Sequence, residues 1–269
     1  KKDYSLGEWQ PSVTRDEYAG AIQRIREYIE EGDTYQVNYS FRLTTTFSGD
    51  AWSFFLRLVH SQQSLNSAFI ETDRFTVCSA SPELFFRLSE NELVSRPMKG
   101  TARRGLTFAD DTHMGEWLQG SEKNRSENVM IVDMVRNDIE RVADPSSIRV
   151  PKLFEVERYP TVWQMTSTVK GKTDQPVASI MAALFPCASI TGAPKVRSTE
   201  IIAELESLPR RVYTGAIGYI APQRKAQFNV AIRTVLIDKA TGEAEYGVGG
   251  GIVWDSTADD EYNECVNKA

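Results

Sequence analysis

Strand-like runs in this sequence come in groups, and a helical segment separates each group from the next. A capping-box pattern at Thr14 and Glu17 begins a helix whose apolar positions recur at helical spacing until Gly32. Alternating apolar residues over 35–43 predict a half-buried strand, and four strand-like runs over 67–96 predict an antiparallel meander. Because helices alternate with groups of strands rather than with single strands, the pattern predicts a layered α+β fold.

The rest of the chain continues this alternation. The further predicted segments are helices over 116–141 and 190–206, strands over 214–220, 228–237 and 243–254, and a final helix that starts at Ser256 or Thr257. No Pro-, Ser- or Gly-rich linker and no low-complexity segment interrupts the sequence. We therefore predict a single domain over 1–269.

Composition excludes several classes of function. The formal net charge of −6 and the pI near 5.2 argue against a general affinity for nucleic acid or for an anionic membrane. The 2 histidines are too few for a histidine-rich metal site or a histidine-based nucleophile relay, so carboxylates and lysine must carry the chemistry. The 3 widely spaced cysteines, and the lack of an apolar run of about 18 residues, predict a cytoplasmic protein without a membrane span.

A basic turn over 96–105, with the sequence RPMKGTARRG, contains the first candidate for catalysis. Lys99 lies between a predicted strand and a Gly-Thr turn, and Arg96, Arg103 and Arg104 are close to it in sequence. Neighbouring cations and burial both favour a neutral amine, and enzymes use such lysines as nucleophiles. The same spacing is also compatible with an ordinary solvated loop lysine.

Carboxylates from separate segments form the second candidate group. Glu261 and Glu264 are three residues apart on a predicted helix and share one face, which Asp259 and Asp260 extend. Glu127 lies at the start of another predicted helix. Magnesium binds hard oxygen ligands of this kind and often leaves positions for substrate and water. The alternative is ordinary acidic charge near helix N-termini, which stabilises the helix dipole without a metal.

Two further features lie in the last third of the sequence. Arg233 interrupts the apolar run FNVAIRTVLI, where it requires either a bound carboxylate or a structural ion pair. The run GVGGGIV is not a dinucleotide-binding loop, because IVW continues as a strand where such a loop requires a helix. Its glycines either allow the backbone to approach a ligand closely or form a β-bulge.

Seven segments occur in the same order as in the chorismate-utilising enzymes, and together they span nearly the whole chain. They are SPELFF, RPMKGTARRG, SENVMIVDMVRNDIERV, ASITGAPK, YTGAIGY, VAIRT and GGGIVWDSTADDEYNECVNKA. The sequence therefore resembles this family, which implies an α+β fold with two large packed antiparallel sheets flanked by helices in an α/β/β/α arrangement. The N-terminal extension that is common in full-length members of this family is absent from the sequence.

The resemblance also implies a reaction. Members that aminate C4 of chorismate carry lysine in PIKGT, as PMKGT does here, whereas anthranilate-forming members usually carry alanine at this position. The resemblance makes Lys99 the amine that attacks C2 of the ring while Glu83 protonates the departing C4 hydroxyl, after which ammonia displaces Lys99. Gln36 stands where isochorismate- and salicylate-forming members have a water-activating lysine. The implied reaction is the amination that leads to p-aminobenzoate and folate.

Other site residues follow from the resemblance alone. Glu127, Glu261 and Glu264 match the family's magnesium ligands. Arg233 and Tyr213 match the groups that bind the enolpyruvyl carboxylate of chorismate. The remaining residues that the resemblance assigns to the substrate pocket are Gln36, Gly100, Thr101, Gln164, Thr191, Lys195, Gly249 and Gly251.

The sequence departs from the family pattern at two positions of the site. Asn124 stands where relatives often have an acidic residue, and Gln164 replaces a histidine of the anthranilate-forming members. No glutaminase nucleophile motif is present, so ammonia must come from solution or from a separate glutamine amidotransferase. The alternatives to C4 amination are anthranilate formation and a non-catalytic chorismate-binding subunit.

Overall fold

The computed structural model describes residues 3–267 and divides them into two compact units. The first unit consists of residues 3–82, 190–215 and 231–267, and the second consists of residues 83–189 and 216–230. Each unit contains one antiparallel sheet with helices, which confirms the predicted α+β class with two large antiparallel sheets. That 1–269 forms a single domain stays a prediction. Within the described residues, no helix is both long enough and apolar enough to cross a membrane.

One antiparallel sheet is the centre of the first unit. Its strands are β1 (Tyr4–Leu6), β2 (Gln10–Pro11), β3 (Gln36–Gly49), β4 (Asn66–Glu71), β5 (Phe75–Ser81), β11 (Gly192–Ala193), β14 (Thr234–Asp238) and β15 (Glu243–Ile252). They lie in the order β1-β3-β15-β14-β5-β4, and β2 and β11 also pair with β3. The ladder between β3 and β15 places the glycines at 249 and 251 opposite Ser40 and Asn38.

The helices described in the first unit are α1 (Arg15–Glu30), α2 (Ala51–Gln62), α6 (Lys195–Leu205) and α7 (Ala258–Asn267). α1 begins where it was predicted, because Thr14 and Glu17 form the reciprocal capping box. The apolar faces of α1 and β3 share one core, whose members include Tyr18, Ile22, Ile25, Val37, Tyr39, Phe41 and Leu43. This burial of an amphipathic face stabilises the helix more than its intrinsic propensity does.

β3 differs from the predicted half-buried strand because both of its faces are covered over 36–41. Val37 and Tyr39 lie in the apolar core, and Gln36, Asn38 and Ser40, which point to the opposite face, are also buried. The alternation of polar and apolar residues therefore separates a core from a buried polar surface, and not a core from solvent. Buried amides and hydroxyls need hydrogen-bond partners, so this surface is a candidate for ligand binding.

The second unit is built on the other antiparallel sheet. Its strands are β6 (Leu84–Ser89), β7 (Glu92–Arg96), β8 (Met98–Arg103), β9 (Arg149–Arg158), β10 (Val162–Lys172), β12 (Ala216–Ala221) and β13 (Lys225–Val230). They lie in the order β12-β13-β6-β7-β10-β8, and β9 also pairs with β10. β8, which carries Lys99, is therefore held in the sheet by its pairing with β10.

The helices described in the second unit are α3 (Phe108–Gly120), α4 (Glu122–Glu140) and α5 (Val177–Leu184). The hydroxyl of Ser121 accepts a hydrogen bond from the N–H of Asn124 and so caps the start of α4. α4 packs on β8 and β10. The residues that it buries recur at helical spacing and include Asn128, Ile131, Val132, Val135 and Ile139.

Two predicted strand arrangements were wrong. The runs over 67–96 do not form one meander, because β4 pairs with β5 in the first unit and β6 pairs with β7 in the second. The run over 228–237 is not one strand, because β13 ends at Val230 in one sheet and β14 begins at Thr234 in the other. Both errors have one cause, since local periodicity identifies a strand without indicating which sheet it joins.

Candidate active site

Lys99 lies on a β-bulge in β8. The register between β8 and β10 shifts between Gln164 and Thr166, so that two residues of β8, Lys99 and Gly100, lie opposite one residue of β10. Gly100 has a φ of +95°, a conformation that strains residues with a side chain. A Cβ atom at this position would also lie 3.1 Å from the side chain of Asn124. The bulge therefore needs glycine, and it takes Lys99 out of the regular alternation of the strand.

Two side-chain amides hold the carbonyl groups of this bulge. Nδ2 of Asn128 donates to the main-chain oxygen of Lys99 at 3.3 Å, and Nε2 of Gln164 donates to that of Gly100 at 2.7 Å. The hydroxyl of Thr101 donates to Oε1 of Gln164 at 3.0 Å. The structure thus brings together four of the predicted site residues of the second unit, and the amide of Gln164 supports the bulge itself.

Glu83 provides a carboxyl group that binds its proton unusually tightly. Its side chain is buried, and this burial raises the pKa of Glu83 from 4.5 to about 7. Hydrogen bonds from the Ser189 hydroxyl and the Met98 N–H, together with the charge of Lys99, lower this pKa and so limit the rise. Glu83 is therefore divided between its protonated and ionised forms near neutral pH, as a general acid requires.

The arginines that are close to Lys99 in sequence are paired with carboxylates. Arg96 forms ion pairs with two glutamates of β9. Arg104 donates to both carboxylate oxygens of Asp111, at 2.6 and 2.5 Å. These pairs offset positive charge that would otherwise favour a neutral amine at Lys99.

Arg233 lies between β13 and β14 rather than inside a strand, and its φ is +49°. Its guanidinium donates to Oε1 of Gln62 at 2.6 Å. The sequence predicted a carboxylate as partner, whereas this partner is a neutral amide that satisfies a donor without cancelling the positive charge. A guanidinium whose charge is not cancelled by this partner is well suited to binding the carboxylate of a ligand.

Tyr213 lies against β15. A Cβ atom on Gly247 would lie 2.1 Å from Cγ of Tyr213, so the ring occupies the space that any side chain at this position would need. Burial raises the pKa of Tyr213 well above its usual range, and the phenol therefore stays neutral and able to donate a hydrogen bond. Gly249 and Gly251 follow on the same face of the strand, since side-chain directions repeat every two residues.

We expect Gly247→Ala to displace the Tyr213 ring and to destabilise the protein. Overpacking of this kind costs about 1–3 kcal/mol. Urea unfolding measures the stability. The matched control is Gly20→Ala in α1, where a Cβ atom meets no other atom within 4 Å and where alanine favours the helix. Equal unfolding midpoints for Gly247→Ala and the parent chain would contradict the assigned contact.

Several polar residues of the first unit lie around the start of β3. Gln36 is 0% exposed, and among the described residues neither atom of its amide has a hydrogen-bond partner. Asn38 donates its N–H to the carbonyl oxygen of Thr191 at 2.6 Å, which places Thr191 beside the same strand. Lys195 is partly buried and begins α6. A buried amide without a partner is costly, so binding of a ligand or water to Gln36 is favoured.

The glutamates predicted to bind magnesium are divided between the units, with Glu261 and Glu264 on α7 and Glu127 on α4. Oε1 of Glu261 accepts a hydrogen bond from Ser256 at 2.6 Å. Its Oε2 lies 2.8 Å from the position of a Cβ atom on Gly250, so the carboxylate is close to β15. Over residues 3–267, no three His, Cys, Asp or Glu side chains form a group able to hold a metal. Carboxylate donors suit magnesium, and these three ligands stay a prediction.

Several residues that form hydrogen bonds to the predicted site residues were not themselves predicted from the sequence. Asn128 binds the main chain of Lys99, Ser189 binds Glu83, and Gln62 binds Arg233. Only Asn128 had a local signal, because it falls on the apolar face of α4. A polar residue at such a position requires a buried hydrogen-bond partner.

The chain belongs to the chorismate-binding enzymes. A family described as chorismate binding enzyme matches residues 1–269, which confirms the resemblance carried by the seven motifs.

The relatives that the chain resembles include aminodeoxychorismate synthases. It is 39% identical to aminodeoxychorismate synthase component 1 of Escherichia coli (strain K12), with 100% of this chain and 59% of the relative covered. It is 42% identical to the Klebsiella aerogenes protein of the same name, with 97% and 58% covered. A solved structure, anthranilate synthase component I from Streptococcus pneumoniae TIGR4, matches with a TM-score of 0.89 at 30% identity and covers 100% of this chain and 58% of its own. The chain thus spans less than two thirds of the length of these proteins.

Proposed function

We propose that this chain catalyses the aminodeoxychorismate synthase reaction, in which chorismate and ammonia form 4-amino-4-deoxychorismate and water. The observation that carries the proposal is the glycine bulge that presents Lys99 within electrostatic reach of the buried carboxyl group of Glu83. Membership of the family supports chorismate as the substrate. The names of the similar chains support amination among the reactions that the family carries out.

In the proposed first step, Lys99 in its neutral form attacks C2 of the chorismate ring through its amine nitrogen. The new C–N bond forms while the double bonds shift and the C4–O bond breaks. Hydroxide is a poor leaving group, so Glu83 gives its proton to the departing oxygen, which leaves as water. The attached nitrogen then has one proton in excess, and the newly ionised Glu83 accepts it.

In the proposed second step, ammonia attacks C4 and the double bonds shift back. The C2–N bond breaks, and the proton held by Glu83 returns to the departing amine of Lys99. The proton that ammonia brings in excess returns to Glu83, which is then protonated again for the next turnover. Dividing one difficult displacement into two allylic displacements is the advantage of covalent catalysis.

The groups of the first unit support binding of the substrate's carboxylates. Arg233 supplies a positive charge, and its hydrogen bond to the neutral amide of Gln62 does not cancel that charge. Tyr213 supplies a neutral phenol. We therefore assign them to the enolpyruvyl carboxylate. Gln36, with its buried amide, and Thr191 complete this group as residues that contact the ring or an ordered water.

Ammonia is proposed to come from a separate subunit. Similar proteins are named component 1, which implies a second component. The most suitable partner is a glutamine amidotransferase, because it releases ammonia by hydrolysis and the present sequence contains no glutaminase nucleophile motif. Free ammonium at high concentration replaces such a partner in a test of the chain alone.

One assay tests the proposed function. The chain is incubated with chorismate, magnesium and ammonium at pH 8, and the products are identified by liquid chromatography and mass spectrometry. The expected product is 4-amino-4-deoxychorismate, which retains the enolpyruvyl group. Chorismate binding in calorimetry without any turnover would contradict the proposal and favour a non-catalytic subunit.

Anthranilate formation is the second candidate, favoured by the match to a solved anthranilate synthase component I. The lysine at 99 and the glutamine at 164 argue against it, because the anthranilate-forming members usually carry alanine and histidine at these positions. The same assay separates the two reactions. Anthranilate is fluorescent and is accompanied by pyruvate, so their appearance in equal amounts would replace the first proposal by the second.

Magnesium is proposed as the cofactor, with Glu127, Glu261 and Glu264 as ligands. When bound, the ion supplies positive charge that holds a carboxylate of the substrate. We expect excess chelator to weaken chorismate binding at least about tenfold in calorimetry, because one carboxylate loses its counter-charge. Added magnesium restores binding to the parent chain and not to Glu264→Gln. Unchanged affinity in chelator would contradict the metal site.

A further inference from the structure

We propose that Asn128 is a positioning residue for the nucleophile and that it acts through the main-chain carbonyl group of Lys99. The proposal rests on the proposed function in one respect, namely that Lys99 is the attacking amine. Its structural basis is independent of that assignment, because it concerns the bulge that carries the lysine.

The bulge leaves this part of β8 without regular strand partners. Lys99 and Gly100 lie where the register to β10 shifts, so the ladder does not fix the orientation of the peptide group between them. The φ of +95° at Gly100 adds conformational freedom, because glycine has several accessible regions of φ and ψ. Groups outside the ladder must therefore hold the orientation of Lys99.

Asn128 provides this restraint from helix α4. Its Nδ2 donates to the carbonyl oxygen of Lys99 at 3.3 Å, and its side chain is 1% exposed. Asn128 is not itself in a position to react, since its amide is engaged with the protein on both sides. Because α4 packs on β8 and β10, the hydrogen bond connects the bulge to a rigid element.

The orientation of the Asn128 amide is fixed by a second pair of hydrogen bonds. The N–H of Phe154 donates to the hydroxyl of Ser167 at 3.1 Å, which leaves the hydroxyl proton to be donated to Oδ1 of Asn128 at 2.5 Å. Oδ1 therefore faces Ser167, and Nδ2 faces the carbonyl oxygen of Lys99. Ser167 is fully buried, so water does not compete for these groups.

Asn128→Asp is the decisive substitution, because it keeps the shape of the side chain and replaces the donor of this hydrogen bond by an acceptor. An oxygen atom replaces Nδ2, so that two acceptors face each other at the Lys99 carbonyl, while the bond from Ser167 is retained. The peptide of Lys99 then turns away, and the amine leaves the position from which it attacks C2. A displacement of about 1 Å at a reacting centre lowers the rate about 10²-fold.

The experiment measures attachment of Lys99 to chorismate without ammonia, by quench-flow and mass spectrometry of the intact chain. For Asn128→Asp we expect about a 10²-fold lower attachment rate, with a chorismate Kd within about threefold of the parent. Ser167→Ala, which frees the amide to rotate, is expected to give a smaller loss of the same kind. The matched control is Asn137→Asp, an exposed residue on the same helix, with an unchanged rate.

Several results overturn the proposal. An attachment rate within about threefold of the parent in folded Asn128→Asp would do so, as would equal losses in attachment and in chorismate binding, which indicate a structural role only. Thermal unfolding establishes that each variant is folded. If Asn128→Asp does not fold, Ser167→Ala decides the question, and an unchanged attachment rate there overturns the proposal.

A second measurement separates failure of this proposal from failure of the proposed function. Trinitrobenzenesulfonate labels amines without chorismate, and peptide mass spectrometry gives the labelling rate of each lysine. We expect Asn128→Asp to change the rate at Lys99 at least about threefold and to leave exposed Lys225 unchanged. If the parent forms no chorismate adduct but the labelling rate of Lys99 changes in Asn128→Asp, the positioning role of Asn128 is supported and the role of Lys99 as nucleophile is contradicted. If Asn128→Asp changes neither the attachment rate nor the labelling rate of Lys99, the positioning role is contradicted.

Discussion

Lys99→Ala is expected to abolish C4 amination, with a loss in kcat of about 10⁴-fold or more, while chorismate still binds. In the proposed mechanism, alanine removes the nitrogen atom that bonds to C2, so that only direct attack of ammonia on C4 is left. The change does not touch Arg233 and Tyr213, the groups of the first unit that we propose to bind a carboxylate of the substrate. Product formation is measured by mass spectrometry at saturating ammonium, and chorismate affinity is measured by calorimetry.

Lys99→Arg distinguishes the nucleophile from the positive charge. Arginine keeps the charge next to Glu83, but its guanidinium stays protonated and does not attack carbon. We therefore expect Lys99→Arg to be as inactive as Lys99→Ala. The matched control is Lys225→Ala, which removes an exposed lysine from the same unit and leaves the rate unchanged. Amination by Lys99→Ala at the rate of the parent would contradict the proposed covalent mechanism.

Elements defined by neighbouring residues were predictable from the sequence. α1 was predicted from its cap at Thr14 to its end near Gly32, because a capping box and a 3.6-residue period are both local signals. These signals require no knowledge of which elements meet in space. The segment that carries Lys99 gave no such signal, and its prediction as a basic turn was wrong, because pairing with β10 makes it strand β8.

Features that depend on distant partners were not predictable. Arg233 was expected inside a strand, but it joins two strands of different sheets, and its partner Gln62 is 171 residues away in sequence. Gln36 was expected on a half-buried strand, but both faces of β3 are covered over 36–41. In each case the decisive contact is made by a segment far away in the chain, and the local pattern is the same with or without it.

The immediate surroundings of Lys99 were also only partly predictable. The sequence placed Arg96 and Arg104 near Lys99, and the structure pairs both with carboxylates of the sheet and of α3. What determines the direction of Lys99 is a register shift, which arises from how β8 and β10 pair and leaves no mark in either strand alone. Asn128 is an exception with a local signal, because it breaks the apolar stripe of α4.

Glu83→Gln is expected to lower amination about 10²- to 10⁴-fold, because the amide keeps the size of the side chain but supplies no acidic proton. The parent needs Glu83 protonated for the first step. Because the pKa of Glu83 is about 7, its protonated fraction falls as the pH rises through neutrality. We therefore expect kcat/KM of the parent to decline above neutral pH. The variant should lose this decline together with the activity. Glu116→Gln, an exposed residue of α3, is the control.

The same group makes folding stability depend on pH, in a direction that follows from its raised pKa. Between pH 4.5 and about 7, the folded chain keeps a proton on Glu83 that the unfolded chain has released. The stability that this proton contributes is complete below pH 4.5 and is lost as the pH rises through about 7. From pH 4.5 to 8, the parent should therefore lose on the order of 3 kcal/mol more than Glu83→Gln in urea unfolding. Parallel pH profiles for the two proteins would show that Glu83 is not a buried, protonated acid, and the proton donor of the proposed first step would have to be sought elsewhere.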